Sequence, residues 1–218
     1  MTKVRATLAP QEVGVMRTAI KLVLVTVACV VVAWCVLALD CRGALCREAW
    51  AGTVEPVLEM ADQIQVWQPW YSARDYRREH AVFLAKAFHG AAKTHGIDPW
   101  LALAIARRES SLDPNVGNGK RCGSRGEQGY FQIMPRGAAL KACGKQRNMF
   151  DVGANADTAM CYLKLMQDHC PGSTWRWVAA YGWRRCPSER EAREDRATKL
   201  AREFYCQAVR GCDRTWPL

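Results

Sequence analysis

The feature that most constrains this chain is an uninterrupted apolar segment near its N-terminus. The 18 residues from Leu22 to Leu39 contain no charged side chain. As a helix they would extend roughly 27 Å, close to the thickness of the hydrocarbon core of a bilayer. The segment is longer than the apolar region of about 7–15 residues in a typical signal peptide. The sequence therefore predicts a single transmembrane anchor, or an uncleaved signal, over residues 22–39.

The charges that flank this segment predict its orientation. Four cations precede it and only two follow it closely: Lys3, Arg5, Arg17 and Lys21 before, Arg42 and Arg47 after. Cationic residues favour the cytoplasmic side of a membrane. We therefore expect residues 1–21 in the cytoplasm, the anchor in the inner (cytoplasmic) membrane, and the remaining chain in the periplasm or outside. The alternative is a signal peptide cleaved near Ala38, which would release a secreted protein.

Cysteine usage independently supports export. Nine of the 11 cysteines follow the apolar segment, a density typical of proteins in an oxidising compartment. Zinc sites use closely spaced ligand pairs such as Cys-x-x-Cys, and the sequence has none, so we expect disulfides and no metal. Nine is an odd number, which leaves one thiol free or paired with another chain. Cys161 and Cys170 should not pair, because a continuous helix would separate them by about 13 Å.

Two helices are predicted in the first half of the exported part. Residues 40–75 mix charges, Gly, Pro and three Trp, and are typical of a stalk or loosely packed extension. Apolar residues then recur at helical spacing from Asp75 towards a stop at Gly96. Asp98-Pro99 provides a capping carboxylate and a first-turn proline for a second helix that ends near Ser110.

The second half of the chain continues the helical pattern. Residues 113–128 are rich in turn-forming residues, and further helices are predicted near 131–141, 152–168, 174–181 and 189–209. The sequence has neither a sustained alternating strand pattern nor an internal repeat. The predicted fold class is therefore mainly α.

The charge balance indicates an anionic partner. The chain has 31 Lys and Arg against 21 Asp and Glu, a formal net charge of +10. Nucleic acid, anionic lipid and an anionic cell-wall polymer all fit this charge. Because the basic clusters carry no signature of a nucleic-acid-binding fold, and because export removes the chain from the cytoplasm, we expect no nucleic acid partner.

Glu109 is the candidate catalytic residue. It shares one face of the predicted helix with Ala102 and Ile105, whereas Arg107 and Arg108 are expected to point elsewhere. Apolar neighbours would favour the neutral carboxyl, which can donate a proton. The alternative is a glutamate at a helix end that pairs with arginine or is hydrated. The helix alone favours that alternative.

A second segment changes this balance. Gly126-Glu-Gln-Gly-Tyr-Phe-Gln-Ile-Met-Pro135 follows Glu109-Ser110 by about 20 residues. Together these segments resemble the lytic transglycosylases with a soluble-lytic-transglycosylase (SLT, goose-lysozyme-like) catalytic domain. Two later segments extend the resemblance in the family's order: Phe150, Asp151, Asn155, Tyr162 and Leu163, and then Ala180-Tyr181 of an Ala-Tyr-Asn-x-Gly motif. The resemblance covers about residues 78–205.

The resemblance implies a fold and an activity. The fold would be a lysozyme-like catalytic domain over residues 76–212, preceded by the transmembrane helix. The activity would be cleavage of the β-1,4 bond between N-acetylmuramic acid and N-acetylglucosamine in peptidoglycan, without a cofactor. In this family a single glutamate protonates the leaving oxygen and then acts as base on the muramoyl 6-hydroxyl, which yields a 1,6-anhydro sugar. Ordinary glycosidases usually need two carboxylates.

The resemblance also assigns roles to residues of this chain. Glu109 would be the acid and base, and Tyr181 would hydrogen-bond and orient it. Of the implied substrate-binding residues, Ser110 and Gln132 would touch sugar groups, and Tyr130 and Phe131 would line the groove. Gly129 would admit the glycan close to the backbone, and Asn155 completes the set. Gly182 and Trp183 depart from the family, since they replace the Asn of the Ala-Tyr-Asn-x-Gly motif and the residue after it.

Several alternatives stay open. Glu127 is the best candidate for a second carboxylate, and opposite the scissile bond it would make the enzyme a hydrolytic muramidase on the same fold. A catalytically silent peptidoglycan-binding assembly module and a phage lysis protein are further alternatives. Family relatives act in wall recycling, or with secretion, conjugation or pilus machinery, and an anchored protein fits the machinery partners slightly better.

Overall fold

The protein is mainly helical in the part of the chain that the structure describes. This computed structural model describes residues 44–68, 74–144, 148–209 and 212, and within them it contains no β-strand beyond one bridge between Gln128 and Ile133. The anchor predicted over residues 22–39 lies outside these ranges. None of the helices inside them is both long and apolar enough to cross a membrane.

The chain divides into two compact units, Met1–Val54 and Glu55–Leu218. The described residues of the first unit, 44–54, belong to a helix. The helices are, in order, α1 (Ala44–Trp67), α2 (Arg74–His95), α3 (Pro99–Ser110), α4 (Pro114–Gly117), α5 (Val152–His169), α6 (Thr174–Trp183), α7 (Glu189–Glu194) and α8 (Arg196–Ala208). A π-helical turn at Leu140–Gly144 lies between α4 and α5. The predictions of helices at the positions of α2, α3, α5 and α6 are confirmed.

Helix α3 is the central helix of the second unit. The Asp98 carboxylate caps its N-terminus by accepting from the backbone N–H of Trp100 at 2.8 Å, and Pro99 begins its first turn. Every residue from Leu101 to Ala106 is buried, so α3 is surrounded on all sides by other elements, chiefly α2 and α8. Because the helix is enclosed and capped, its C-terminal end is held at a fixed position. Glu109 lies at that end.

Within the extension predicted over residues 40–75, the described residues 44–68 are not loosely packed throughout. They contain α1, whose side chains Met60, Ala61, Ile64 and Trp67 are buried in the same core as α2 and α3. Spacing at i, i+4 and i+7 gives Met60, Ile64 and Trp67 one helical face. Charged residues around this stripe and Pro56 inside the helix obscured the pattern in the sequence.

The helix predicted near 131–141 is also wrong in its first half. Residues 128–133 form a tight turn closed by the backbone pair of Gln128 and Ile133. Gln132 and Arg136 have φ angles of 49° and 62°, in the left-handed region that a right-handed helix excludes. The predicted helix at 189–209 is divided at Asp195, whose extended backbone ends α7 and whose carboxylate caps α8 at Thr198.

Among the described residues of the second unit, three disulfides form cross-links. They join Cys143 to Cys161, Cys170 to Cys186 and Cys206 to Cys212. Cys161 and Cys170 therefore have different partners, as helix geometry requires. Cys122 is exposed and free. The prediction of disulfides is confirmed for these six cysteines.

Candidate active site

A cleft opens where the C-terminal end of α3 meets two loops and α6. Its lining residues come from α3 (Glu109), the loop 123–127 (Gly123, Ser124, Arg125, Glu127), the segment 132–139 (Gln132, Ile133, Met134, Gly137, Ala138, Ala139), α5 (Tyr162) and the end of α6 (Tyr181, Gly182, Arg184). Glu109, Gln132 and Tyr181 are the predicted site residues that this cleft brings together. They lie far apart in the sequence, and the packing of α3 and α6 against the loops unites them.

Glu109 presents a partly exposed carboxylate to the cleft. Its side chain is 24% exposed, and Oε1 accepts a hydrogen bond from Nη2 of Arg108, whose own side chain is only 5% exposed. The guanidinium of Arg108 also lies over the ring of Tyr181, 5.9 Å from its centroid. The expectation that Arg108 points away from Glu109 is therefore wrong. A buried guanidinium needs a hydrogen-bonding anion, and the arginine side chain is long enough to reach the next residue along the helix.

Tyr181 lies beside Glu109 without donating to it. Its hydroxyl donates to the backbone carbonyl of Phe131 at 2.8 Å, and its ring lies 5.7 Å from that of Tyr162. Burial, followed by the negative charge of Glu109, raises the pKa of Tyr181 well above its ordinary value, so the phenol stays neutral. Tyr181 therefore does not make the expected hydrogen bond to Glu109. Its hydrogen bond to Phe131 instead ties the turn at 128–133 to α6.

Gln132 is the residue of the Gly126–Pro135 segment whose predicted place in the groove agrees with the structure. Its amide Nε2 donates to the carbonyl of Gly129 at 2.8 Å, which holds the side chain against the cleft wall. The φ of 49° at Gln132 turns the chain sharply at this point. The side chain therefore faces the cleft while its neighbour Phe131 faces the core.

Three predicted groove residues are in fact buried. Tyr130 and Phe131 are 2% and 0% exposed and pack against Phe88 of α2, so they do not line the cleft. Ser110 is buried at the end of α3, where its hydroxyl donates to the carbonyl of Ala106 and accepts from the N–H of Leu112. Aromatic residues next to a catalytic motif suit a sugar-binding surface and a core equally well. The sequence alone did not distinguish these two positions.

Asn155 and Gly129 form a buried support beneath the cleft. The amide of Asn155 accepts from the N–H of Phe131 at 2.9 Å and donates to the carbonyl of Gln128 at 3.0 Å. Gly129 has a φ of 71°, and a Cβ atom there would lie 2.4 Å from the carbonyl oxygen of Met149. Gly129 is therefore required for the turn and its packing, rather than for contact with a glycan.

Glu127 is held as a carboxylate by its own loop. Its oxygens accept from the N–H of Arg125 at 2.8 Å and from Nε of Arg125 at 3.0 Å. Burial acts to raise the pKa of Glu127, but the backbone hydrogen bonds and the Arg125 guanidinium outweigh it and lower the pKa below 4.5. A carboxylate held in this way closes the loop 123–127 and is a poor proton donor.

This arrangement predicts an acid-dependent contribution to stability. Because the pKa of Glu127 is lower in the folded protein than in the unfolded chain, its stabilising effect is present above pH 4.5 and lost as the pH falls through the folded pKa. We expect Glu127→Gln to lower the melting temperature at neutral pH and to have a smaller effect at about pH 3. Thermal unfolding at both pH values measures this difference. If Glu127→Gln lowered the melting temperature equally at both pH values, the lowered pKa of Glu127 in the folded protein would be contradicted.

Several cleft residues were not singled out in the sequence. Arg125 carries no motif signal of its own, because loop geometry alone brings it to the cleft. Met134 belongs to the matched Gly126–Pro135 segment but was given no role, and Arg184 lies just after the part of the Ala-Tyr-Asn-x-Gly motif that was considered. Tyr162 belongs to a matched segment, and its position seven residues after Asn155 was the available signal. Within the described ranges, no group of three His, Cys, Asp or Glu side chains is placed to hold a metal ion.

The helical fold, with a glutamate at the end of a buried central helix and facing a cleft, is consistent with a lysozyme-like catalytic domain. Comparison with protein families identifies it further. Residues 86–201, more than half of the chain, match the Transglycosylase SLT domain. The chain belongs to this family, which implies peptidoglycan as its substrate. Neither the curated proteins nor the solved structures include a significant match.

Proposed function

We propose that this protein is a peptidoglycan lytic transglycosylase that cleaves the β-1,4 bond between N-acetylmuramic acid and N-acetylglucosamine and forms a 1,6-anhydro product. The observation that carries the proposal is the position of Glu109, a cleft-facing carboxylate at the end of the buried helix α3. Membership of the SLT family supplies the class of substrate. The ordered segments around Glu109 supply the reaction type.

Glu109 acts twice in the proposed mechanism. As the neutral acid it gives its proton to the glycosidic oxygen, and the bond from that oxygen to C1 of the muramoyl sugar breaks. The resulting carboxylate then removes the proton of the muramoyl 6-hydroxyl while O6 forms a bond to C1. Glu109 ends the cycle with its proton restored, and no water is consumed. One carboxylate is sufficient because the nucleophile is part of the substrate.

Arg108 is positioned to assist the first step. Its buried guanidinium is fixed between the carboxylate of Glu109 and the ring of Tyr181. When Glu109 loses its proton to the leaving oxygen, this guanidinium stabilises the carboxylate that forms.

The remaining cleft residues hold the reacting groups in place. Gln132 is the side chain we assign to a sugar substituent, since its carbonyl oxygen is available while its amide is bonded to Gly129. Tyr181 acts on Glu109 through Arg108 and through the segment bonded at Phe131. Ser110, Asn155 and Gly129 act through the backbone positions that they fix.

Analysis of the products tests this function. Purified sacculi digested with the full-length protein should release muropeptides that end in the anhydro sugar, lighter by one water than the products of a hydrolase. Products with reducing ends would instead support the muramidase alternative, with Glu127 as the second carboxylate. Binding of sacculi without any released product would support the silent assembly module.

We also propose that the apolar segment of residues 22–39 attaches this domain to the inner membrane, with the cleft on the exported side. The disulfides support an oxidising compartment, because such bonds are rare in a reducing cytosol. Secretion, conjugation and pilus machinery are the candidate partners of an anchored enzyme. Fractionation of cells that express the full chain tests the attachment: recovery in the soluble fraction would contradict it.

A further inference from the structure

The charged side chains of the cleft are unequally paired. Four of them line it: Glu109, Arg125, Glu127 and Arg184. Glu109 is paired with Arg108, and Glu127 with Arg125 at 3.0 Å. Arg184 has no ion-pair partner among the residues that the structure describes. The cleft therefore presents one uncompensated positive charge, and it lies at the end of α6.

The backbone at Arg184 adds a second observation. Arg184 ends α6 in the left-handed conformation, with φ 59° and ψ 17°, and its N–H donates to the carbonyl of Ala180. A glycine adopts this conformation without strain, whereas a residue with a Cβ atom is disfavoured in it. Arg184 stands where the Ala-Tyr-Asn-x-Gly motif has its glycine. The arginine thus occupies a backbone conformation that disfavours it, and residues of this kind cluster at functional sites.

The surroundings leave this guanidinium accessible to a ligand. Gly182 has no side chain, and a Cβ atom there would meet nothing within 4 Å, so the cleft is open at this point. Burial raises the pKa of Tyr162, and the positive charge of Arg184 opposes that rise, which indicates that the two side chains are close. Tyr162 in turn packs against Tyr181 beside Glu109. Arg184 therefore lies on the catalytic side of the cleft.

We propose that Arg184 binds a carboxylate carried by the glycan strand and makes the enzyme selective for acidic glycans over neutral N-acetylated ones. This inference rests on the proposed function, because it assigns a substrate group to the same cleft. A guanidinium binds a carboxylate through two parallel hydrogen bonds, which a water-exposed lysine does not reproduce. The carboxylate has two sources on a muramoyl sugar: the lactyl group where no peptide is attached, or the peptide itself where its amide bond occupies the lactyl carboxyl.

Binding measurements test the role of Arg184 separately from catalysis. All variants are made in the full-length Glu109→Gln protein, so that strands bind without being cleaved. The matched control is Arg185→Gln, which removes the same charge from the next residue, where Arg185 pairs with Glu191 outside the cleft. The ligands are peptide-bearing strands, strands freed of peptide by an amidase, and neutral oligomers of N-acetylglucosamine.

In Arg184→Gln we expect the Kd for acidic strands to rise about tenfold and the Kd for neutral oligomers to stay the same. In Arg184→Lys the Kd for acidic strands should lie between those of the parent and of Arg184→Gln. Arg185→Gln should bind as the parent does. A loss confined to peptide-bearing strands assigns a peptide carboxylate, and a loss confined to amidase-treated strands assigns the lactyl carboxylate that the amidase frees. A loss for both acidic ligands shows that the guanidinium binds either carboxylate. Equal losses in Arg184→Gln and Arg185→Gln, or an unchanged Kd in Arg184→Gln, would overturn the inference. If the wild-type protein cleaves nothing but the tenfold loss is observed, the proposed function fails and the carboxylate site stands.

Discussion

Glu109→Gln is expected to slow the lysis of purified sacculi by about a thousandfold, or about 4 kcal/mol in activation free energy. Glutamine has nearly the same shape and keeps an oxygen for Arg108, but it neither donates a proton to the leaving oxygen nor removes one from the 6-hydroxyl. Both steps assigned to Glu109 are lost together. The initial rate of the fall in turbidity measures the effect, and circular dichroism checks that the variant is folded.

The matched control for this prediction is Glu203→Gln, which removes one exposed carboxylate from α8 and should leave the rate unchanged. Glu127→Gln tests the second carboxylate of the cleft. If Glu109→Gln retained most of the lytic rate, the acid would have to be another residue. If Glu127→Gln lost as much activity as Glu109→Gln while remaining folded, a two-carboxylate mechanism would replace the one proposed.

Phe88→Ala is expected to lower the free energy of unfolding by about 3–5 kcal/mol. Phe88 is a fully buried residue of α2, and its ring packs edge-on against the rings of Tyr130 and Phe131. The distances between ring centroids are 5.9 Å and 5.0 Å. The substitution removes both ring contacts and leaves a cavity beneath the turn that presents Gln132. The loss is a large part of a typical domain stability of about 5–15 kcal/mol. Urea unfolding followed by circular dichroism measures it.

Phe83 provides a matched control on the same helix. It is 55% exposed, so Phe83→Ala removes the same atoms from the surface and should change the free energy of unfolding by about 0.5 kcal/mol or less. Phe88→Leu keeps most of the volume and should lie between the two. Similar losses in Phe83→Ala and Phe88→Ala would contradict the placement of Phe88 in the core.

The central part of the fold could be predicted from the sequence because its signals are local. Asp98-Pro99 marks the start of α3, and the regular apolar spacing after Asp75 marks α2. The position of Glu109 followed from the predicted end of α3 and from the Gly126–Pro135 segment that comes after it. These signals depend on neighbouring residues alone, and the structure has both helices where they predict them.

The environment of the site depended on contacts that the sequence does not show. The helix alone favoured a pairing of Glu109 with arginine or water, but it did not identify the partner. The contact with Arg108 follows from the burial of the Arg108 guanidinium. Tyr130 and Phe131 face the core because Gln132 adopts a left-handed conformation and Asn155 holds the turn. Helix α1 was missed because its charged residues and Pro56 hide a short apolar stripe.

Digestion of peptidoglycan in ¹⁸O-labelled water tests the mechanism most directly. The proposed reaction uses the 6-hydroxyl of the substrate as nucleophile, so the muramoyl product should contain no label and should be lighter by one water than its hydrolytic counterpart. Mass spectrometry of the released muropeptides reads both properties in one experiment. Muramoyl ends that carry one ¹⁸O atom would show that water attacks C1, and the single-glutamate mechanism proposed for this protein would be contradicted.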